Sequence, residues 1–346
     1  MWYPLKFEPV YKNYLWGGRN LAQMGRLLPE GKVAESWEVS CHPDGVSIID
    51  NGRFRGMSFT DYLAAFGEKA LGAGLTEFPL LVKLIDANDR LSVQVHPDDE
   101  YAAQFENGEN GKSEMWYVLA AKPGAKMIYD LQQGVTQEEF AAAVKSGAME
   151  GCFRYLEVAA GDIVYVPAGL VHALGEGLVV VEVQQSSNVT YRLFDYDRTD
   201  AQGNKRPLHV EKAMEVISYP RVVRGKTQGL ELPVGKHCRK RFLMADPHFT
   251  VELYTVAGSV EENCQGGFHV YTVLEGRGEV QFGDRESMSV NEVESFFIPA
   301  ALKEYTLCGD FKALKAYVPN RQQALAPLLA AGFSWGEITG KVDGLK

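Results

Sequence analysis

Short runs of β-branched and aromatic residues, each stopped by Gly, Pro or Asp, recur along the chain, as at residues 46–49, 80–85, 163–166 and 179–183. Runs of that length are too short for helices and suit a pleated surface, so they predict the strands of a sandwich or barrel. Spacing of three and four between apolar positions is confined to residues 58–71, 136–146, 208–217 and 321–331, which predicts a few peripheral helices. Thr136 followed by Glu139 reads as a capping box, in which hydroxyl and carboxylate satisfy the free N–H groups of a first turn, and Gly147 marks the stop.

One pattern occurs twice. Glu114-Met-Trp-Tyr-Val-Leu119, followed later by Val166-Pro-Ala-Gly-Leu-Val-His172, is echoed by His269-Val-Tyr-Thr-Val-Leu274 and Ile298-Pro-Ala-Ala-Leu-Lys-Glu304. A repeated strand pattern of this kind predicts a mainly β protein built from two related barrels. The 346 residues are enough for two cores. The stretch 221–240, rich in Gly, Pro and basic residues, places the boundary between residues 1–225, a barrel with helical insertions, and residues 226–346, a second copy. Gly276-Arg-Gly-Glu279 reads as a tight turn between strands rather than a nucleotide loop, because no βαβ pattern surrounds it.

Composition narrows the functional classes. With 46% hydrophobic and 23% charged residues the whole chain is expected to fold, and a net charge of −10 argues against nucleic acid or an anionic membrane as partner. An acidic substrate would then need a local basic pocket. The five cysteines are scattered, with no C-x-x-C pair, and the first ten residues carry no apolar signal region, which together predict a reduced, cytoplasmic protein.

Candidate chemistry gathers in the first copy. Leu91-Ser-Val-Gln-Val-His96 alternates as a strand does, so Gln94 and His96 share a face. Lys112-Ser-Glu114 adds a cation and a carboxylate at the start of another strand, and His172 follows the Pro167-Ala-Gly169 turn. One amide, two imidazoles and a carboxylate make a donor set that suits zinc, although iron, manganese, nickel or cobalt fit it too. Taken singly, a histidine beside a proline or a turn is more often a loop residue than a ligand. It is the joint spacing of the four that points to a metal.

These residues carry a resemblance. Gln94-Val-His-Pro-Asp98, Lys112-Ser-Glu114, Pro167-Ala-Gly-Leu-Val-His172 and Asn188-Val-Thr-Tyr-Arg192 resemble, in order, motifs of the type I mannose-6-phosphate isomerases, and Trp16-Gly-Gly18 and Glu35-Ser-Trp-Glu38 extend the match. The chain is similar to the short bacterial members. The resemblance implies two cupin-like barrels of jelly-roll type and one zinc ion per chain held by Gln94, His96, Glu114 and His172. It also implies a phosphosugar substrate, mannose 6-phosphate interconverted with fructose 6-phosphate, in an enzyme acting as a monomer or homodimer.

It brings in Ser92, Lys112, Glu182 and Arg192 as active-site candidates. Isomerisation moves a proton between C2 and C1 through a negatively charged enediol-like species, so it needs acid–base groups and an electrophile. Glu182, amid the valines of residues 179–183, is read as the base or as the partner of Lys112. Arg192 and Lys112 supply cations for anionic oxygens, and Arg198 is either a third or a salt-bridge partner of Asp195 or Asp197. Trp16 and Trp37 either line a sugar pocket or fill the core.

Two other readings compete. A metal-dependent cupin oxygenase would use a histidine-rich set, against which Gln94 and the adjacent Lys112 argue. A non-catalytic sugar-binding cupin would leave Lys112, Glu182 and Arg192 without purpose. In the second copy His269 falls opposite Glu114 and Glu304 opposite His172, while Phe249-Thr-Val-Glu-Leu-Tyr254 offers Glu252 and is preceded by His248. That set is too mismatched for zinc, so the second barrel is expected to hold no metal.

Overall fold

The computed structural model describes residues 2–200, 202–219, 224–318 and 320–345. The chain is mainly β, with three antiparallel sheets. Six strands form the first sheet, in the order Ile163–Val166, Glu114–Ala121, Leu178–Gln185, Leu80–Ala87, Glu35–Val39 and Val10–Lys12. Five form the second: Tyr191–Phe194, Val93–Val95, His172–Ala173, Lys126–Leu131 and Phe153–Glu157. Trp116, Val118 and Ile85 from the first share a core with Met127 and Tyr129 from the second, so the two sheets pack face to face.

The third sheet has nine strands, including three of 14 residues each: Thr250–Asn263, His269–Phe282 and Glu304–Tyr317. It encloses a second core of Val256, Val273, Val280 and Leu307. The N-terminal strand Leu5–Glu8 pairs with Ser295–Ile298, so the first residues of the chain complete the C-terminal sheet. Residues 220–223, part of the stretch expected to separate the two units, lie outside the described residues, and its end already belongs to strands Leu230–Pro233 and Arg239–Ala245.

A third core joins the units. Val82, Leu84, Met115 and Val181 on the outer face of the six-stranded sheet meet Val251, Val270, Leu314 and Ala316. Phe59, Phe78, Phe268 and Phe297 bind this seam, with neighbouring ring centroids 5.0–5.6 Å apart. The six-stranded sheet is therefore buried on both faces. Leu80–Ala87 and Leu178–Gln185 consequently read as mostly apolar runs rather than alternating ones, and all residues of both are buried. Polar residues inside such strands, Lys83, Asp86, Glu182 and Gln184, have no solvent to face and must find partners in the protein.

The predicted helices form with local corrections. Thr136 caps Gln137–Ser146 through the reciprocal box with Glu139, and Gly147 ends it at φ 73°. The run from 58 breaks into Phe59–Phe66 and Glu68–Leu71, because Gly67 takes φ 46° between them. Among the described residues three helices were not predicted, Asn20–Gln23, Asp99–Phe105 and Trp335–Lys341, each too short for its periodicity to stand out. Gly276-Arg-Gly-Glu279 is no turn. It lies inside the His269–Phe282 strand next to a bulge, and Gly276 has φ 80° with its α-carbon so near Asp310 that a β-carbon would meet that carbonyl oxygen at 2.3 Å.

Candidate active site and metal centre

Across four adjacent strands of the six-stranded sheet, Trp37, Lys83, Glu182 and Trp116 stand in register. Lys83 Nζ is 3.2 Å from Glu182 Oε1 and 3.6 Å from Glu35 Oε2. Trp116 Nε1 donates to Glu182 Oε2 at 2.8 Å, and Trp37 Nε1 donates to Glu35 Oε2 at 2.7 Å. Burial alone would discharge Lys83, but Glu35, Glu182 and Glu114 overcome it and raise its pKa. Burial, reinforced by the Glu114 carboxylate, raises that of Glu182. The sequence reading paired Glu182 with Lys112 as one option. The structure pairs it with Lys83, a residue hidden from sequence reasoning in an apolar run.

Above this row the strands bring the other candidates together. Alternation along Glu114–Ala121 sends Glu114, Trp116 and Val118 inward and Met115 to the seam. His96 directly follows the Val93–Val95 strand and precedes Pro97, and Asp98 caps the helix that follows, accepting from the Tyr101 N–H at 2.9 Å. Gly169, at φ 79°, turns the loop that delivers His172 and donates its N–H to the His96 carbonyl at 2.8 Å. His172 then sits directly across from Gln94 in the five-stranded sheet.

The ring nitrogens are sorted by their backbone contacts. His96 Nδ1 lies 2.8 Å from the Val189 carbonyl oxygen and His172 Nδ1 2.8 Å from that of Leu170. A carbonyl can only accept, so both Nδ1 atoms carry the proton and both Nε2 atoms keep a lone pair. Those lone pairs face Glu114: His96 Nε2 is 3.3 Å from Oε1, and His172 Nε2 is 3.8 Å from Oε2. One ligand atom from each of the three lies within 4.8 Å of the others, which makes His96, Glu114 and His172 a metal-sized group. Both Glu114 oxygens are buried. Burial, then Lys112, pushes the His96 pKa down to about 3, and burial lowers that of His172. Against its own burial, Lys112 and then His96 hold the Glu114 carboxyl well below the usual range. Neutral imidazoles and an ionised carboxylate are the protonation states a divalent metal requires.

Lys112 Nζ lies 2.7 Å from Glu114 Oε1. Gln94 Nε2 lies 3.3 Å from His172 Nε2, and Gln94 Oε1 is reached by the Ser92 hydroxyl at 3.4 Å. Arg192, in register with Gln94, donates from Nε to Ser92 Oγ at 3.3 Å and from Nη1 to the Pro207 carbonyl at 2.9 Å. Ser92 thus links the amide to the guanidinium. Arg198 is committed elsewhere, to Asp195 at 2.5 Å and Asp89 at 3.4 Å. Arg206, which sequence reasoning passed over, donates from Nε to Asp195 Oδ2 at 2.8 Å. Trp16 is only 3% exposed and packs in the core against Tyr14, so it has no free face to offer a sugar. Trp37 is likewise buried.

Residues 5–131 match the family model for the phosphomannose isomerase type I catalytic domain, and residues 239–318 that for the mannose-6-phosphate isomerase cupin domain. A mannose-6-phosphate isomerase from Streptococcus mutans is 35% identical over 320 residues, covering 91% of this chain and 98% of its own. The chain belongs to the type I phosphomannose isomerase family. The solved mannose 6-phosphate isomerase from Bacillus subtilis has the same fold, with a TM-score of 0.85 at 33% identity over 90% of this chain and 99% of that one. A phosphomannose isomerase from Salmonella typhimurium, 16% identical with a TM-score of 0.73 over 91% of this chain and 99% of that one, shows how far the fold outlasts sequence. The mainly β, cupin-like fold implied by the resemblance is thus borne out.

Proposed function

We infer that the chain interconverts mannose 6-phosphate and fructose 6-phosphate at a zinc site made by Gln94, His96, Glu114 and His172. The observation that supports this most is the convergence of two imidazole lone pairs on a buried, ionised carboxylate. The donor set fits a borderline cation such as zinc. As a ligand Gln94 would turn its amide end for end, since only the oxygen has a lone pair to give. When bound, the metal supplies a Lewis acid for negative charge at the reacting oxygens of the sugar.

Protein groups supply the rest. Glu182, made more basic by burial and by Glu114, is the candidate for taking the C2 proton, and Lys83 holds it in place. Lys112 and Arg192 face the anionic oxygens, and Ser92 fixes Arg192 relative to Gln94. Arg192, with Arg206 and Arg198 near it and both paired to Asp195, gives the acidic chain a local basic patch for the phosphate. On this reading residues 1–225 form the catalytic unit and residues 226–346 its support, in a cytoplasmic monomer or homodimer. Among the described residues no helix is long and apolar enough to cross a membrane.

An assay coupling fructose 6-phosphate formation to a reporter enzyme, with and without chelator, tests the proposal. Turnover that chelation abolishes and zinc restores supports it. Metal-replete protein that leaves mannose 6-phosphate untouched would return the chain to the oxygenase or non-catalytic readings.

A further inference from the structure

The C-terminal unit carries a polar interior for which the isomerase chemistry has no use. Phe242, Glu252, Lys315, Tyr271 and Phe296 stand in register across five adjacent strands. Glu252 and Lys315 are 2% and 5% exposed. Lys315 Nζ lies 2.7 Å from Glu262 Oε2 and 3.8 Å from Glu252 Oε2. The Tyr254 hydroxyl donates to Glu262 Oε1 at 2.7 Å, Tyr317 donates to Glu252 Oε1 at 3.1 Å, and Lys240 Nζ stands 3.8 Å from the same oxygen. His269 Nδ1 is 2.7 Å from the Tyr305 hydroxyl.

Stability does not account for this network. Buried ion pairs rarely outperform apolar side chains of the same volume, because desolvating the charges offsets their attraction. The same barrel is filled with Val256, Val273, Val280 and Leu307 where only packing is needed. The polar row instead borders a cavity of about 660 Å³, roofed by residues 71–75 and by the helix Arg321–Ala330. That volume falls in the range of small-molecule sites, about 300–1,000 Å³.

The charges define the occupant. Among the buried and half-buried side chains two lysines are balanced by two glutamates, and the third glutamate of the lining, Glu261, is exposed to solvent, which leaves no surplus cation for an anion and no surplus buried carboxylate for a metal. Lys315 already stands between the carboxylates. His269 stays neutral, through burial and then the nearness of Lys315 and Lys240, and so adds hydrogen-bonding capacity without charge. Fixed donors and acceptors interleaved with the apolar faces of Phe242, Leu71 and Leu75 match a ligand with hydroxyls on a carbon frame.

We propose that the C-terminal barrel binds an uncharged polyhydroxylated ligand of monosaccharide size in the cavity bordered by Lys240, Glu252, Glu262, His269, Lys315 and Tyr317. The site is separate from the metal group and does not depend on the isomerase assignment.

Hydrogen–deuterium exchange on the full metal-loaded chain tests it, with millimolar D-mannose, D-fructose or D-mannitol as uncharged probes and inorganic phosphate as the charged one. At least one uncharged probe is expected to slow exchange in Thr250–Asn263, His269–Phe282 and Glu304–Tyr317. Tyr317→Phe and Glu252→Gln are each expected to weaken that protection about tenfold in apparent affinity, with isomerase kcat and KM unchanged. Protection by phosphate alone, protection confined to the strands of the metal group, or none from any uncharged probe would overturn the proposal. So would protection of unaltered affinity in folded samples of both variants.

Discussion

Lys83 Nζ and Glu182 Oε1 lie 3.2 Å apart between neighbouring strands of a sheet that is buried on both faces. Neither side chain is more than 4% exposed, so each depends on the other for its charge. Lys83→Met leaves Glu35 and Glu182 without their shared cation. Breaking one side of a buried pair costs about 3–5 kcal/mol, and chemical denaturation is expected to show a loss of that size. A variant as stable as the parent would mean that the pair is solvated.

His96→Ala and His172→Ala each remove a lone pair that faces Glu114. Both variants are expected to lose bound metal and isomerase activity together, read by elemental analysis and the coupled assay. Full zinc occupancy with normal turnover in either would refute the ligand assignment.

Arg192→Lys keeps a positive charge but cannot hold Ser92 and an anionic oxygen at once through a planar fork. We expect retained metal and fold, with kcat/KM for mannose 6-phosphate lowered by about 100-fold, or ~2.7 kcal/mol. Wild-type kinetics would make Arg192 a structural residue.

The pH dependence of stability has a defined sign at His269. Its folded pKa lies well below the ordinary histidine value of about 6.5 that an unfolded chain approaches, so the unfolded state binds the proton first. The stabilisation from a neutral His269 is complete above about pH 6.5 and shrinks as pH falls, by up to about 1.4 kcal/mol per pH unit. His269→Gln removes that dependence. The parent's stability advantage over the variant is therefore expected to narrow between about pH 7 and pH 5, followed by denaturant titration. A difference independent of pH would show that His269 titrates in the fold as it does in the unfolded chain.

Much of this site was legible because alternation is a local property. Gln94 and His96 on one face, and Glu114 followed by inward Trp116, follow from the two-residue period of a strand. Lys83 and Glu182 were less accessible. Double burial erases the alternation of their strands, and their pairing depends on a register between distant segments. Arg206 and Arg198 differ only in what they meet: Asp195 engages both, while Asp89 and the Arg90 carbonyl take up the remainder of Arg198. The second barrel illustrates the same limit. Glu252 and His269 were visible as leftover ligand types, but Lys315, which stands between Glu252 and Glu262, becomes visible only when the long strands are paired.

Titrating zinc into metal-stripped protein while following isomerase rate and bound metal together tests the central assignment most directly. The account predicts that activity rises with occupancy and saturates at one metal per chain, and that Glu114→Gln abolishes both. Full turnover of mannose 6-phosphate without metal, or unaltered zinc binding in Glu114→Gln, would contradict it.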